Sequence, residues 1–139
     1  MSKIINIALY LSFFPYAALV NAETLSCPAE IELDMTSIKM TSQLDQWKPF
    51  FQNGKLALVA AGFSDGPAEE QAFLKPYSNA ESKVGSRVTW KFEGGYPKGK
   101  WLNCDYEGNI ALLSKVIPEK TKECIVSYKE KKLLAINCR

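Results

Sequence analysis

Lys100-Trp101-Leu102-Asn103-Cys104-Asp105-Tyr106 is the stretch on which the fold turns. Read as a β-strand, it places Leu102, Cys104 and Tyr106 on one face and Trp101, Asn103 and Asp105 on the other. A bridged Cys104 would pin this strand to a second element, and a core would grow around the pin. Glu107-Gly108 follows as a tight turn. Asn109–Val116 reads as a returning strand, so the two form a hairpin that Pro118 ends. Ile117 stands at the open end of the expected core.

Working outward, strand patterns recur. Val88, Trp90 and Phe92 alternate with Arg87, Thr89 and Lys91, which predicts a half-buried strand. Lys55–Phe63 is a nearly unbroken apolar run, read as a strand buried on both faces, after an Asn53-Gly54 turn. Ile31–Met35 predicts a first strand. Glu123–Tyr128 and Leu133–Cys138, joined by a basic turn, predict a last hairpin. Its register sets Tyr128 against Leu134, Val126 against Ile136 and Cys124 against Cys138. Thr41–Asn53 reads as a loop, because Pro49 blocks a long helix, with Trp47 on the core edge. Ala72–Val84 reads as irregular. The expected fold is mainly β, a small antiparallel barrel or sandwich with disulfides. A short helix in Ser42–Phe51 or Ala68–Leu74 would make it α+β.

The chain has 139 residues, 17 Lys plus Arg against 15 Asp plus Glu, and no histidine. Its first 22 residues read as a signal peptide: Lys3, an apolar run from Ile4 to Tyr16, and Val20-Asn21-Ala22 before Glu23. The expected organisation is therefore 1–22 as a cleaved leader and 23–139 as one domain in the periplasm. Cleavage removes only Lys3 among charged residues, leaving a nearly neutral chain. That balance gives no reason to expect a nucleic-acid partner, or a membrane partner after cleavage. Four cysteines in an exported chain predict two disulfides. Pairing Cys104 with Cys124 and Cys27 with Cys138 links consecutive hairpins and ties both chain ends. The register of the last hairpin also permits Cys124–Cys138, with Cys27–Cys104.

Most catalytic chemistry lacks its residues. Without histidine, the usual general base and nucleophile activator are missing, and no C-x-x-C motif suggests zinc or redox work. Ser114 and Lys115 are strand neighbours that point to opposite faces. Ser82-Lys83, and the Glu69-Glu70 pair, read as solvated loop. A non-enzymatic protein with no cofactor and no metal is expected. The polar turn Ser64–Gln71, rich in Gly, Pro and acid, reads as the most solvent-facing stretch. Its Ser64, Asp65, Gly66, Glu69 and Glu70, with Tyr96 and Trp101 nearby in the Gly94–Gly99 region, are the candidate partner-binding residues. Lys129, Lys131 and Lys132 read as a solubilising hairpin tip.

Taken together, Cys27-Pro28, Gly62-Phe63-x-x-Gly66-Pro67, Leu74-x-Pro76, the Trp90 strand, Trp101-x-x-Cys104-x-Tyr106 and Cys124 form a pattern. It resembles a family of small exported enterobacterial proteins, some encoded beside type VI secretion effectors that attack peptidoglycan. The resemblance implies a periplasmic immunity protein that occludes the active site of a cell-wall-modifying toxin, such as an L,D-transpeptidase-like effector. It supplies no functional residues. Two further functions fit the same composition: inhibition of a lysozyme-like enzyme, and an envelope carbohydrate-binding or structural module using Trp101 and Tyr96.

Overall fold

A computed structural model describes residues 25–37, 50 and 52–139. The leader, Trp47 and most of the expected loop and possible helix around it lie outside these residues. The described strands are β1 (Glu30–Leu33), β2 (Gly54–Asp65), β3 (Ser78–Ser82), β4 (Gly85–Lys91), β5 (Lys100–Tyr106), β6 (Ala111–Val116), β7 (Glu123–Lys129) and β8 (Lys132–Cys138). They form two four-stranded antiparallel sheets, in the orders β1-β2-β5-β6 and β3-β4-β7-β8. The helical content among the described residues is a single 3-10 turn, Ala68–Glu70, so the chain is mainly β.

The inward faces meet where the alternation places them. Phe63, Leu102, Cys104 and Tyr106 come from the first sheet, and Trp90, Cys124, Val126 and Ile136 from the second. Phe63 stands edge-on to Trp90 and to Phe92, with ring centroids 5.2 and 5.4 Å apart, a preferred aromatic geometry. Buried polar groups are spent on ties between segments. Tyr128 Oη accepts from Ala61 N at 3.2 Å and donates to Ala61 O at 3.3 Å, joining the sheets. Tyr106 Oη donates to Pro28 O at 2.8 Å. Ile117 is buried, as its position ahead of Pro118 predicted.

The disulfides correct one expectation. The bridges are Cys27–Cys104 and Cys124–Cys138, not Cys104–Cys124 and Cys27–Cys138. The last hairpin decides it. Glu123 and Arg139 exchange both backbone hydrogen bonds, at 3.1 and 2.9 Å, so the adjacent Cys124–Cys138 pair is the close, non-hydrogen-bonded kind. Its Cα atoms are 4.1 Å apart. Cys104 is left to the lead-in segment, where Cys27 lies 5.7 Å away between Cα atoms.

Smaller differences have equally local causes. β2 is not buried on both faces throughout: Ala57 and Val59 are exposed, and two-sided cover begins only near Ala61. The supposedly irregular segment contains β3, whose Ser-Asn-Ala-Glu-Ser sequence has no apolar face because every residue is exposed at the sheet edge. Its pairing with β4 is a backbone matter. A bulge between Ser127 and Tyr128 sets Tyr128 against Leu133 rather than Leu134, while Val126–Ile136 keeps the expected register. β1 ends at Leu33, two residues early.

Closing a loop between residues 77 apart removes more unfolded-state freedom than closing one between residues 14 apart. Replacing Cys27 and Cys104 together by serine is therefore expected to cost about 4 kcal/mol, and the Cys124/Cys138 double replacement about 3 kcal/mol. Denaturant melts of the two variants check the order. Equal losses, or a larger loss from the short loop, would show that bridge strain rather than chain entropy sets the ranking.

Candidate functional site

Register brings four chain segments into one row on the outer face of the first sheet. Phe73 bridges to Ser64, Ser64 is opposite Trp101, and Trp101 is opposite Val116. Directly opposed residues share a face, and strands lie about 4.8 Å apart, so the row spans about 14 Å. Phe73 is 51% and Val116 55% exposed, Trp101 is half-buried, and Ser64 is fully buried.

Ser64 is buried because the following turn folds back over it. Its Oγ donates to Gly66 O and accepts from Asn103 Nδ2 at 2.8 Å. Asn103 Oδ1 accepts from Ser114 Oγ at 2.7 Å, and Ser114 Oγ accepts from Ala68 N at 3.0 Å. This closed relay satisfies the outward polar groups of β2, β5 and β6 and fastens the 3-10 turn to them. Each buried donor has an acceptor, which is what makes burying them tolerable.

The two loops singled out from sequence are docked on each other. Gly66 N donates to Gly99 O at 3.0 Å, and Lys98 N donates to Asp65 Oδ1 at 3.1 Å. Lys98 also forms an ion pair with Glu70. Trp101 Nε1 donates to Lys98 O at 2.9 Å, which fixes the indole. Gly66 has φ of +95°, and a Cβ there would come within 3.0 Å of the Glu70 carboxylate and 3.3 Å of Lys98 Cβ. The turn therefore needs glycine both for its backbone and for its close packing.

Asp65, Gly66, Glu70, Tyr96 and Trp101 are thus gathered at one end of the sandwich. Glu69 is exposed beside them, while Ser64 and Gly66 act from beneath the surface. Tyr96 packs edge-on to Phe92 at 5.9 Å. Burial first, then the negative fields of Asp65 and Glu93, raise its phenol above the ordinary 10.0. Sequence reasoning missed Phe73, Val116 and Lys98. Val116 was recoverable from the β5–β6 hairpin register; Phe73 lies in a segment without periodicity. Among the described residues no three His, Cys, Asp or Glu side chains converge as a metal site. The site combines an aromatic and aliphatic row with a fastened acidic turn beside it and a polar surround.

A family model described as Type VI secretion system Tli immunity protein matches residues 53–139. The chain belongs to that family. No curated protein and no solved structure matches it.

Two outcomes test the construction. Asn103→Ala removes the centre of the relay and is expected to cost about 1–3 kcal/mol, from buried groups left unpaired, whereas exposed Glu69→Ala changes stability by less than about 0.5 kcal/mol. Denaturant unfolding reads both. Tyr96 is held neutral in the fold, so its stabilisation is complete below the ordinary tyrosine range and is lost as pH rises through its raised value. Tyr96→Phe should flatten the alkaline limb of a stability–pH curve above about pH 10; an unchanged limb would count against the raised phenol.

Proposed function

Starting from that family membership, we propose that this chain is a periplasmic immunity protein that neutralises a secreted toxin by covering its active site. The Phe73–Ser64–Trp101–Val116 row, flanked by the Ser64–Gln71 turn, is the covering surface. The observation that carries the assignment is the immobilised Trp101: a half-buried indole held by its own hydrogen bond, in line with two exposed apolar residues and beside an acidic turn. Interface energy concentrates on such aromatic anchors ringed by polar groups. A fastened turn also loses little freedom on binding. Asp65, Glu69 and Glu70 supply negative charge toward a basic cleft, and Tyr96 extends the aromatic surface.

Inhibition of this kind uses occlusion and no catalysis. The toxin class follows from the resemblance drawn from sequence: an effector that attacks peptidoglycan, L,D-transpeptidase-like in its specific form. Residues 1–22, read as a signal peptide, would carry the protein to the compartment of the toxin's target. A second reading is favoured by Phe73 and Trp101, since aromatic side chains on one row also suit sugar stacking. An envelope carbohydrate-binding module, or an inhibitor of a lysozyme-like enzyme, would use the same surface.

Periplasmic co-expression with the product of each adjacent secreted gene, followed by cell lysis, tests the proposal. Rescue from one product with a stable complex on a sizing column is the expected result, and it names the toxin class. Trp101→Ala should weaken that complex at least tenfold, about 1.4 kcal/mol, while leaving the fold intact. Toxicity without rescue, together with retention on peptidoglycan, would move the assignment to the glycan module. Loss of lysozyme activity in a turbidity assay would move it to the lysozyme inhibitor.

A further inference from the structure

The opposite end of the sandwich carries a different chemistry. The β3–β4 turn, Lys83-Val84, and the β7–β8 turn, Glu130-Lys131, lie together there, because Gly85 packs directly against the Tyr128 carbonyl. A Cβ on Gly85 would stand 2.1 Å from that oxygen, so only glycine lets the two turns approach this closely. Val84 at the first tip is 79% exposed and Leu134, just past the second, is 68% exposed. Lys83, Arg87, Lys129 and Lys131 line the shallow grooves around Val84, and Lys132 adjoins them. All five cations are exposed, and none forms an ion pair among the described residues. Among the described residues lining these grooves, the carboxylates are Glu81 and Glu130.

Backbone conformation adds a second observation. Glu130 and Lys131 have φ of +49° and +65°. A two-residue turn of this hand is adopted at least cost by Asn-Gly. The chain instead holds charged residues there, at a conformational cost that keeps a lysine at the tip.

We propose that this end is a peripheral docking surface for an anionic lipid bilayer. Val84 and Leu134 enter the headgroup boundary while the surrounding lysines and Arg87 pair with lipid phosphates. Exposed apolar side chains ringed by cations fit that boundary, where short apolar insertion and electrostatic attraction act together. A bilayer fits better than an acidic polypeptide because Val84 stands exposed at one tip and Leu134 stands exposed just past the other. Net charge over the whole chain conceals this end: the excess of five cations over two carboxylates is local. Docking here involves no residue of the Phe73–Ser64–Trp101–Val116 row.

The test is sedimentation of the chain from Glu23 to Arg139, which retains every described strand and both bridges, with phospholipid vesicles. Vesicles of phosphatidylcholine with about 30% phosphatidylglycerol are compared with phosphatidylcholine alone. Partition to the anionic vesicles is expected, falling about fivefold for each lysine removed in Lys129→Gln and Lys131→Gln and further in high salt. Val84→Ser should weaken binding with no change in charge, and Lys120→Gln, at the other end, should leave it unaltered. Absence of partition, or partition that the tip variants do not diminish, overturns the proposal. Retention on poly-glutamate without vesicle binding would overturn it in favour of an acidic polypeptide partner. No toxin is present, so either result leaves the Trp101 proposal standing or falling separately.

Discussion

The Asn103 carboxamide is the contact on which the two faces of the first sheet depend. It sits between Leu102 and Cys104, whose side chains go to the core, so strand alternation sends it outward. There it accepts from Ser114 and donates to Ser64, linking β6, β5 and β2 through side chains where the backbone already links them. The turn that covers Asn103 is fixed by the same atoms, through Ala68 N and Gly66 O. An apolar residue at 103 would leave the Ser114 hydroxyl without its acceptor and take the Asn103 donor away from Ser64 under the turn. The core face of β5 and the candidate contact face are therefore one piece of geometry, set by a period of two.

That coupling explains what was legible in the sequence and what was not. The strand pattern of Leu102, Cys104 and Tyr106, the β5–β6 hairpin and the closing hairpin were readable because each has one buried face. Cys124 opposite Cys138 was also readable from register, whereas Cys104–Cys124 and Cys27–Cys138 rest on linking consecutive hairpins and tying the chain ends. Local geometry won: a close cross-strand pair needs no rearrangement to form a bridge. β3 was not readable, since an edge strand exposed at every residue carries no hydrophobic period. The Ser64–Gln71 turn was found, but its character was not. Gly, Pro and acid read as a projecting loop, whereas the hydrogen bonds that fold it down involve Asn103 and Ser114, far along the chain. Phe73 joins the row through an isolated bridge to Ser64, a long-range pairing that no local pattern announces.

The charges are sorted by position more than by number. At the Trp101 end, cations are already engaged: Lys98 with Glu70, and Lys100 with the carbonyls of Glu119 and Thr121 at 2.7 and 2.6 Å. Negative charge on Asp65, Glu69 and Glu93 faces outward there. At the hairpin tips the cations form no ion pair among the described residues. A nearly neutral chain thus carries a local excess of positive charge around the Val84 grooves.

An inhibitor that works by occlusion gains from rigidity in a way an enzyme with moving lids does not. Each side chain or loop ordered on binding costs about 0.5–1.5 kcal/mol, and a surface ordered during folding avoids that cost at the encounter. In the inhibitor proposed above, that ordering is done by two bridges, a buried relay and docked loops. Trp101 is the test case. Its ring nitrogen is bound to Lys98 O, Lys98 is bound to Asp65 and Glu70, and Gly66 is bound to Gly99. Loosening any of these would leave the indole chemically unchanged but would return its ordering cost to the moment of binding. Rigidity of the turn and affinity of the surface are then two readings of the same hydrogen bonds, with the effect expected in the lifetime of the complex more than in its rate of formation.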